Sequence, residues 1–179
     1  MSDVKLLRFQ GTVSRRSEAS DRLKRPGDAV LIKRGRPRLF LLSCPCGCGE
    51  SFPINLDPQA GPAWRLYRDK RFGLSLFPSV WRDSGCRSHY IIWRDKIWLF
   101  GRYGEDDFDT PSQLDAIKPL TAAVLRRLPS VGLIAFSEIA EALGLVPWDV
   151  LIICRQLVRQ GLAREGTGKQ HGSFGKRIL

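Results

Sequence analysis

Cys44-Pro45-Cys46-Gly47-Cys48-Gly49 and, far downstream, Cys86-Arg87-Ser88-His89 hold four of the chain's five cysteines and one of its two histidines. Thiolate sulfur and imidazole nitrogen in two short clusters are the donor set of a tetrahedral zinc site. On a straight strand, alternate residues stand roughly 6.5–7 Å apart, so Cys44 and Cys48 cannot share an ion without a bend. Gly47 and Gly49 permit that bend, because glycine accepts positive φ. Five candidates compete for four places: Cys44, Cys46, Cys48, Cys86 and His89. The preferred quartet is Cys46, Cys48, Cys86 and His89, with Cys44 held extended by Pro45 as a packed neighbour. Disulfides fit less well, since the cysteine count is odd and no secretory signal is present. Cys154, in an apolar helical run, is expected in the core.

Working outward, the 179 residues suffice for one or two domains, and 43% are apolar. No apolar run reaches the roughly 18 residues of a membrane span. Reduced thiols and the absence of an export signal lead to an expectation of a cytoplasmic protein. The net charge of +11 is uneven. Residues 1–40 carry eleven Lys/Arg against four acids, 41–117 nine against ten, and 118–179 nine against four. Basic ends suit nucleic acid or an acidic protein, or serve only solubility.

The fold expected is α+β: a small, mostly antiparallel β domain with a metal site (1–102), an acidic linker (103–117), an α-rich winged-helix domain (118–168) and a flexible basic tail (169–179). Residues 4–12 read as one strand and 14–25 as a loop or short helix. Short β-type runs follow at Ala29–Lys33, Arg38–Ser43, Ser51–Leu56, Trp64–Arg68 and Leu74–Phe77, punctuated by Gly and Pro. His89–Trp93 and Lys96–Phe100 flank Arg94-Asp95 as a hairpin.

Beyond the linker the period becomes helical. Leu120–Leu128 forms one helix. Phe136–Leu143 forms a second, capped by Ser137 and stopped by Gly144. Pro147–Gln160 forms a third, opened by Pro and stopped by Gly161. Leu162–Gly166 turns back as a strand. This order resembles a winged-helix domain. A DNA reader would present polar residues from the start of its recognition helix. That helix here opens with Trp148-Asp149, and only Arg155, Gln156 and Arg159 follow as polar contacts. These four, Trp148, Arg155, Gln156 and Arg159, are the candidate partner-binding positions, and they favour protein over DNA.

Several chemistries are excluded. His-Glu-x-x-His, the deaminase His-x-Glu with Pro-Cys-x-x-Cys, the P-loop and the dinucleotide-binding glycine pattern are all absent. Ser79 is a candidate nucleophile, but a ligating His89 would deprive it of a base. Ser88 adjoins His89 and points to the opposite face of a strand. A metal-bound water assisted by Asp83 is disfavoured by thiolate-rich ligation.

Pro26-Gly27-Asp28, Arg34–Arg38, Cys44–Gly49, Asn55–Pro58, Pro62–Leu66, Phe77–Trp81 and Gly85–Tyr90 together resemble a bacterial family of small proteins with a domain of unknown function, over roughly residues 26–101. Members of that family are often encoded beside ubiquitin-like conjugation genes linked to phage defence. The resemblance implies a zinc-binding accessory protein whose partner is a ubiquitin-like modifier or a conjugation enzyme. The alternatives are a peptidase for ubiquitin-like conjugates and a nucleic-acid-binding winged-helix regulator.

Overall fold

The computed structural model describes residues 4–100, 115 and 117–177. The chain divides between Glu105 and Asp106 into two compact units. The acidic linker expected over 103–117 lies outside the described residues, apart from Asp115 and Ile117. Ile117 is fully buried.

The first unit is a β-sandwich. One sheet has the strand order β1-β9-β8-β7-β6 and the other β2-β3-β4-β5. The elements are β1 (Val4–Leu6), β2 (Arg8–Val13), a short helix α1 (Ser17–Ser20), β3 (Asp28–Arg34), β4 (Arg36–Ser43), β5 (Ser51–Asn55), β6 (Arg65–Asp69), β7 (Gly73–Trp81), β8 (His89–Trp93) and β9 (Lys96–Phe100). Every pairing is antiparallel except β2 with β3. The stretch 4–12, expected as one strand, is two strands in two sheets. The chain crosses at buried Leu7, whose amide donates to the Asp95 carbonyl at 2.8 Å, while the Arg8 amide donates to the Gly27 carbonyl at 2.9 Å. β7 runs past Pro78 to Trp81 because a register shift between Leu76 and Val80 accommodates the residues that cannot pair.

Alternation along the strands builds the core. Leu31, Phe40, Leu42 and Ile54 from one sheet meet Leu76, Tyr90, Ile92 and Ile97 from the other. Each such aliphatic side chain stabilises the fold by about 2 kcal/mol on burial. The outer face of the four-stranded sheet is also apolar: Val30, Ile32 and Leu41 pack under Ala19 of α1. The β8–β9 hairpin closes with Arg94 and Asp95 both at positive φ (52° and 57°), the two-residue turn that matches strand twist.

The second unit contains α2 (Thr121–Arg127), β10 (Ile134–Ala135), α3 (Phe136–Leu143), α4 (Pro147–Arg159), β11 (Ala163–Glu165) and β12 (Ser173–Lys176). Its sheet order is β10-β12-β11, antiparallel. α3 ends at Gly144 with φ 64°, as its glycine requires. Its N-cap is Ala135 and carries no side-chain cap; Ser137 lies two residues too late for that role. The stretch 169–179, expected as a flexible tail, instead contributes the central strand of this sheet. Phe174 is fully buried and overrides the local glycine content. No helix among the described residues is long and apolar enough to cross a membrane.

Candidate metal centre and the face of His89

Four cysteine sulfurs meet at one end of the sandwich. The Sγ atoms of Cys44, Cys46, Cys48 and Cys86 all lie within 4.8 Å of one another. Cys44 stands one residue past β4, and its amide still donates to the Glu50 carbonyl at 2.8 Å, prolonging the β4–β5 ladder. The Gly47 amide then donates to the Cys44 carbonyl at 3.2 Å, closing a turn. Gly47 and Gly49, at φ 88° and 81°, curl the chain so that Cys46 returns beside Cys44 at 3.2 Å. Cys86 comes from the β7–β8 connection and reaches Cys44 at 3.6 Å. The cluster therefore bridges the two sheets.

This arrangement differs from the expected quartet. Cys44 is inside it, because the ladder hydrogen bond aims its buried side chain at the gap between the sheets. His89 is outside it. In the strand register Trp81, His89 and Phe100 are successive cross-strand partners. The imidazole stacks on Trp81 with ring centres 5.2 Å apart and tilts against Phe100 at 4.9 Å. Its strand neighbour Ser88 faces the other way and approaches Cys86 at 3.3 Å and Cys44 at 3.5 Å.

Three residues outside the motifs complete the surroundings. Arg82 reaches Cys86 Sγ at 3.1 Å through Nη1 and Glu50 at 2.6 Å through Nη2, with its guanidinium over the Phe52 ring. The Glu50 carboxylate foremost, with the thiols of Cys44 and Cys86, holds the Arg82 proton more tightly than usual. Tyr90 is fully buried, and its hydroxyl has no hydrogen-bond partner. Burial, then the charge of Cys44, pushes its ionisation up. Glu50 directly follows the first motif and Arg82 precedes the second by four residues. Charged flanks of this kind are the only sequence signal that points to them.

The thiols do not ionise alike. Burial and the Cys44 thiol push Cys46 up to about 12. Burial also opposes ionisation of Cys86, but hydrogen bonds from Ser88 and from the Cys46 and Cys44 thiols outweigh it and bring Cys86 down to about 6. One thiolate is thus favoured, and four require a cation. A tetrahedral zinc with bonds of about 2.3 Å spaces its sulfurs roughly 3.8 Å apart, and the sulfurs here lie between 3.2 Å and 4.8 Å from one another. The residues present fit such an ion.

The other sequence candidates fall elsewhere. Ser79 is half-buried in β7, and its carbonyl accepts from Trp64 Nε1 at 3.2 Å. Asp83 is exposed. Trp148 is only 7% exposed and faces the Phe136 ring at 6.1 Å, so it is a packing residue and not a contact for a partner. Asp149 is equally buried. Arg155 and Gln156 are half-buried and Arg159 is exposed. Cys154 is fully buried in α4.

Residues 15–100, just under half of the chain, match the family model of BubE, described as a bacterial ubiquitination-like system serine protease. The matched stretch runs from just before α1 to the end of β9 and contains all four clustered cysteines and His89. No curated protein and no solved structure matches the chain.

Proposed function

We propose that this chain is a zinc-stapled serine peptidase acting on ubiquitin-like precursors or conjugates in a bacterial ubiquitination-like system. The observation that carries this reading is the position of His89. It is the only histidine in the family-matched stretch, and it stands apart from the cysteine cluster. The four thiols suffice for the ion, so the imidazole is not needed as a ligand.

Ser79 is the matching nucleophile. Ser79 lies two residues before Trp81, the cross-strand partner of His89, in the stretch between Leu76 and Val80 where the β7–β8 register shifts. The His89 imidazole takes the Ser79 proton as Oγ attacks the carbonyl carbon. It then returns that proton to the leaving amine as the C–N bond breaks. Water, deprotonated by the same imidazole, releases the acyl group. Ser88 is a poorer candidate, because its hydroxyl lies against Cys44 and Cys86. A zinc ion would cross-link the sheets here, since four thiolates fill its shell and weaken its Lewis acidity.

The second unit, with three helices and a small sheet among its described residues in the order of a winged helix, serves this reading as a docking module. With Trp148 and Asp149 buried, only Arg155, Gln156 and Arg159 remain on α4 for a partner, which favours protein recognition over reading of DNA bases. The free thiols suit a cytoplasmic setting.

The test is cleavage of a ubiquitin-like modifier carrying a C-terminal extension, alongside labelling by a fluorophosphonate probe. Ser79→Ala and His89→Gln should each lower cleavage by at least about 1000-fold while retaining the metal. Full cleavage by the Ser79→Ala protein would remove Ser79 from the mechanism. Tight binding of the modifier without any cleavage would support instead a non-catalytic accessory role, for which Trp81, 72% exposed beside His89, would be the contact.

A further inference from the structure

A cavity of about 400 Å³ opens on the four-stranded sheet, on the face turned away from the sandwich core. His89 lies on the outer face of the other sheet, so this cavity is on the opposite side of the sandwich from the proposed catalytic face. Its floor is aliphatic, made by Ile32 and Leu39. Its walls carry three guanidinium groups from three segments: Arg16 beside α1, Arg34 at the end of β3, and Arg38 in β4. Like charges converge in a pocket only where something holds them. Arg34 Nε donates to the Ser14 carbonyl at 2.9 Å. Arg38 is ion-paired with Asp57, which also binds Arg36 at 3.0 Å and accepts from the Gln59 amide at 3.1 Å.

Asp57 is buried and satisfied by these contacts, so its single charge is committed to Arg36 and Arg38. Burial alone would raise its ionisation, but the Gln59 amide and the two arginines outweigh it and keep it charged. Arg16 and Arg34 are exposed, and the one acid among the described lining residues, Asp57, is bound by Arg36 and Arg38. A guanidinium presents paired N–H groups that match a carboxylate. The volume falls within the range of roughly 300–1,000 Å³ typical of ligand pockets.

We infer that this cavity is a binding site for an acidic peptide segment of a protein partner, with Arg16 and Arg34 receiving carboxylates over an aliphatic floor that takes the intervening side chains. Nucleic acid fits less well, because no aromatic ring among the described residues lines the cavity to stack a base, and Asn55 and Asp57 occupy one wall. The inference is independent of peptidase activity and goes beyond it, since binding is measured without cleavage.

The test uses the full chain and a fluorescein-labelled, end-blocked hexapeptide, Glu-Leu-Glu-Glu-Leu-Glu. Anisotropy should show binding that weakens about tenfold in Arg34→Gln and further in the Arg16→Gln/Arg34→Gln protein. A peptide with Gln in place of Glu should not bind. In the unsubstituted protein, which needs no variant to fold, the acidic peptide should protect Arg16 and Arg34 from modification by p-hydroxyphenylglyoxal, read by mass spectrometry. Unchanged affinity in the folded double variant, or no protection of either arginine, would overturn the proposal. Stronger protection by oligothymidylate than by the peptide would also overturn it and assign the site to nucleic acid.

Discussion

At Cys44 one residue combines two roles: its amide extends a β-ladder, and its thiol joins the cluster that spans the sheets. Cys44→Ser should therefore bring the bound metal from one equivalent to nearly none by elemental analysis, whereas His89→Ala should keep it. A loss of about 3 kcal/mol of metal-linked folding energy would lower the melting midpoint of the first unit by roughly 12–24 °C. Arg82 donates to Cys86 and is fixed by Glu50, so Arg82→Met should leave the metal bound but speed its release by N-ethylmaleimide about tenfold, followed with a zinc indicator. Asp28 gives a pH prediction. Burial would raise its ionisation, but Arg8, the Arg25 and Lys24 amides and Gln10 together hold it below the ordinary carboxylate range. These bonds thus stabilise the fold at pH above that range and are lost as pH falls through the lowered value. Asp28→Asn should cost about 2 kcal/mol at pH 7, and the gap to the parent protein should close as pH falls through that lowered ionisation in denaturant titrations.

Elements depend on backbone positions that side-chain patterns do not reveal. Gly27 has φ 89°, and a Cβ there would stand 2.7 Å from the Leu6 carbonyl oxygen, a backbone atom held where the chain crosses between sheets. Gly27→Ala should destabilise the first unit by about 3 kcal/mol, measurable by urea unfolding. Gly35, with φ 70° and nothing within 4 Å, should tolerate alanine with a loss of about 1 kcal/mol. The β8–β9 hairpin and α4 were legible because each combines a periodic apolar pattern with its own stop or turn residues. The split of residues 4–12 between two sheets was not, since alternation specifies a strand without specifying its neighbour. β12 was missed for a related reason. Ser173–Lys176 is short and flanked by glycine, and only Phe174 inserted in a core makes it a strand. The choice of Cys44 over His89 was hidden because it depends on which way each β-strand end points, a property of register and not of spacing.

For the molecule as a whole, two compact units and a cysteine cluster able to hold a metal, confined to one of them, imply separable stability. Calorimetry should resolve two transitions, and chelation should lower only one; a single transition moving as a unit would show that they melt together. The α+β class with mostly antiparallel sheets was legible from the change of hydrophobic period along the chain. The tertiary role of Arg82 and Tyr90 was not, because neither is a metal-ligand type within the cysteine motifs. The cluster has a further consequence. Cys44 and Cys86 are 42 positions apart, and a bound ion makes the intervening chain a closed ring that contains β5, β6 and β7. Closing a ring of that size removes roughly 4 kcal/mol of freedom from the unfolded chain. A protease that nicks the exposed turn between β6 and β7 would thus leave two polypeptides on one knot of sulfur, separable only after the metal is withdrawn.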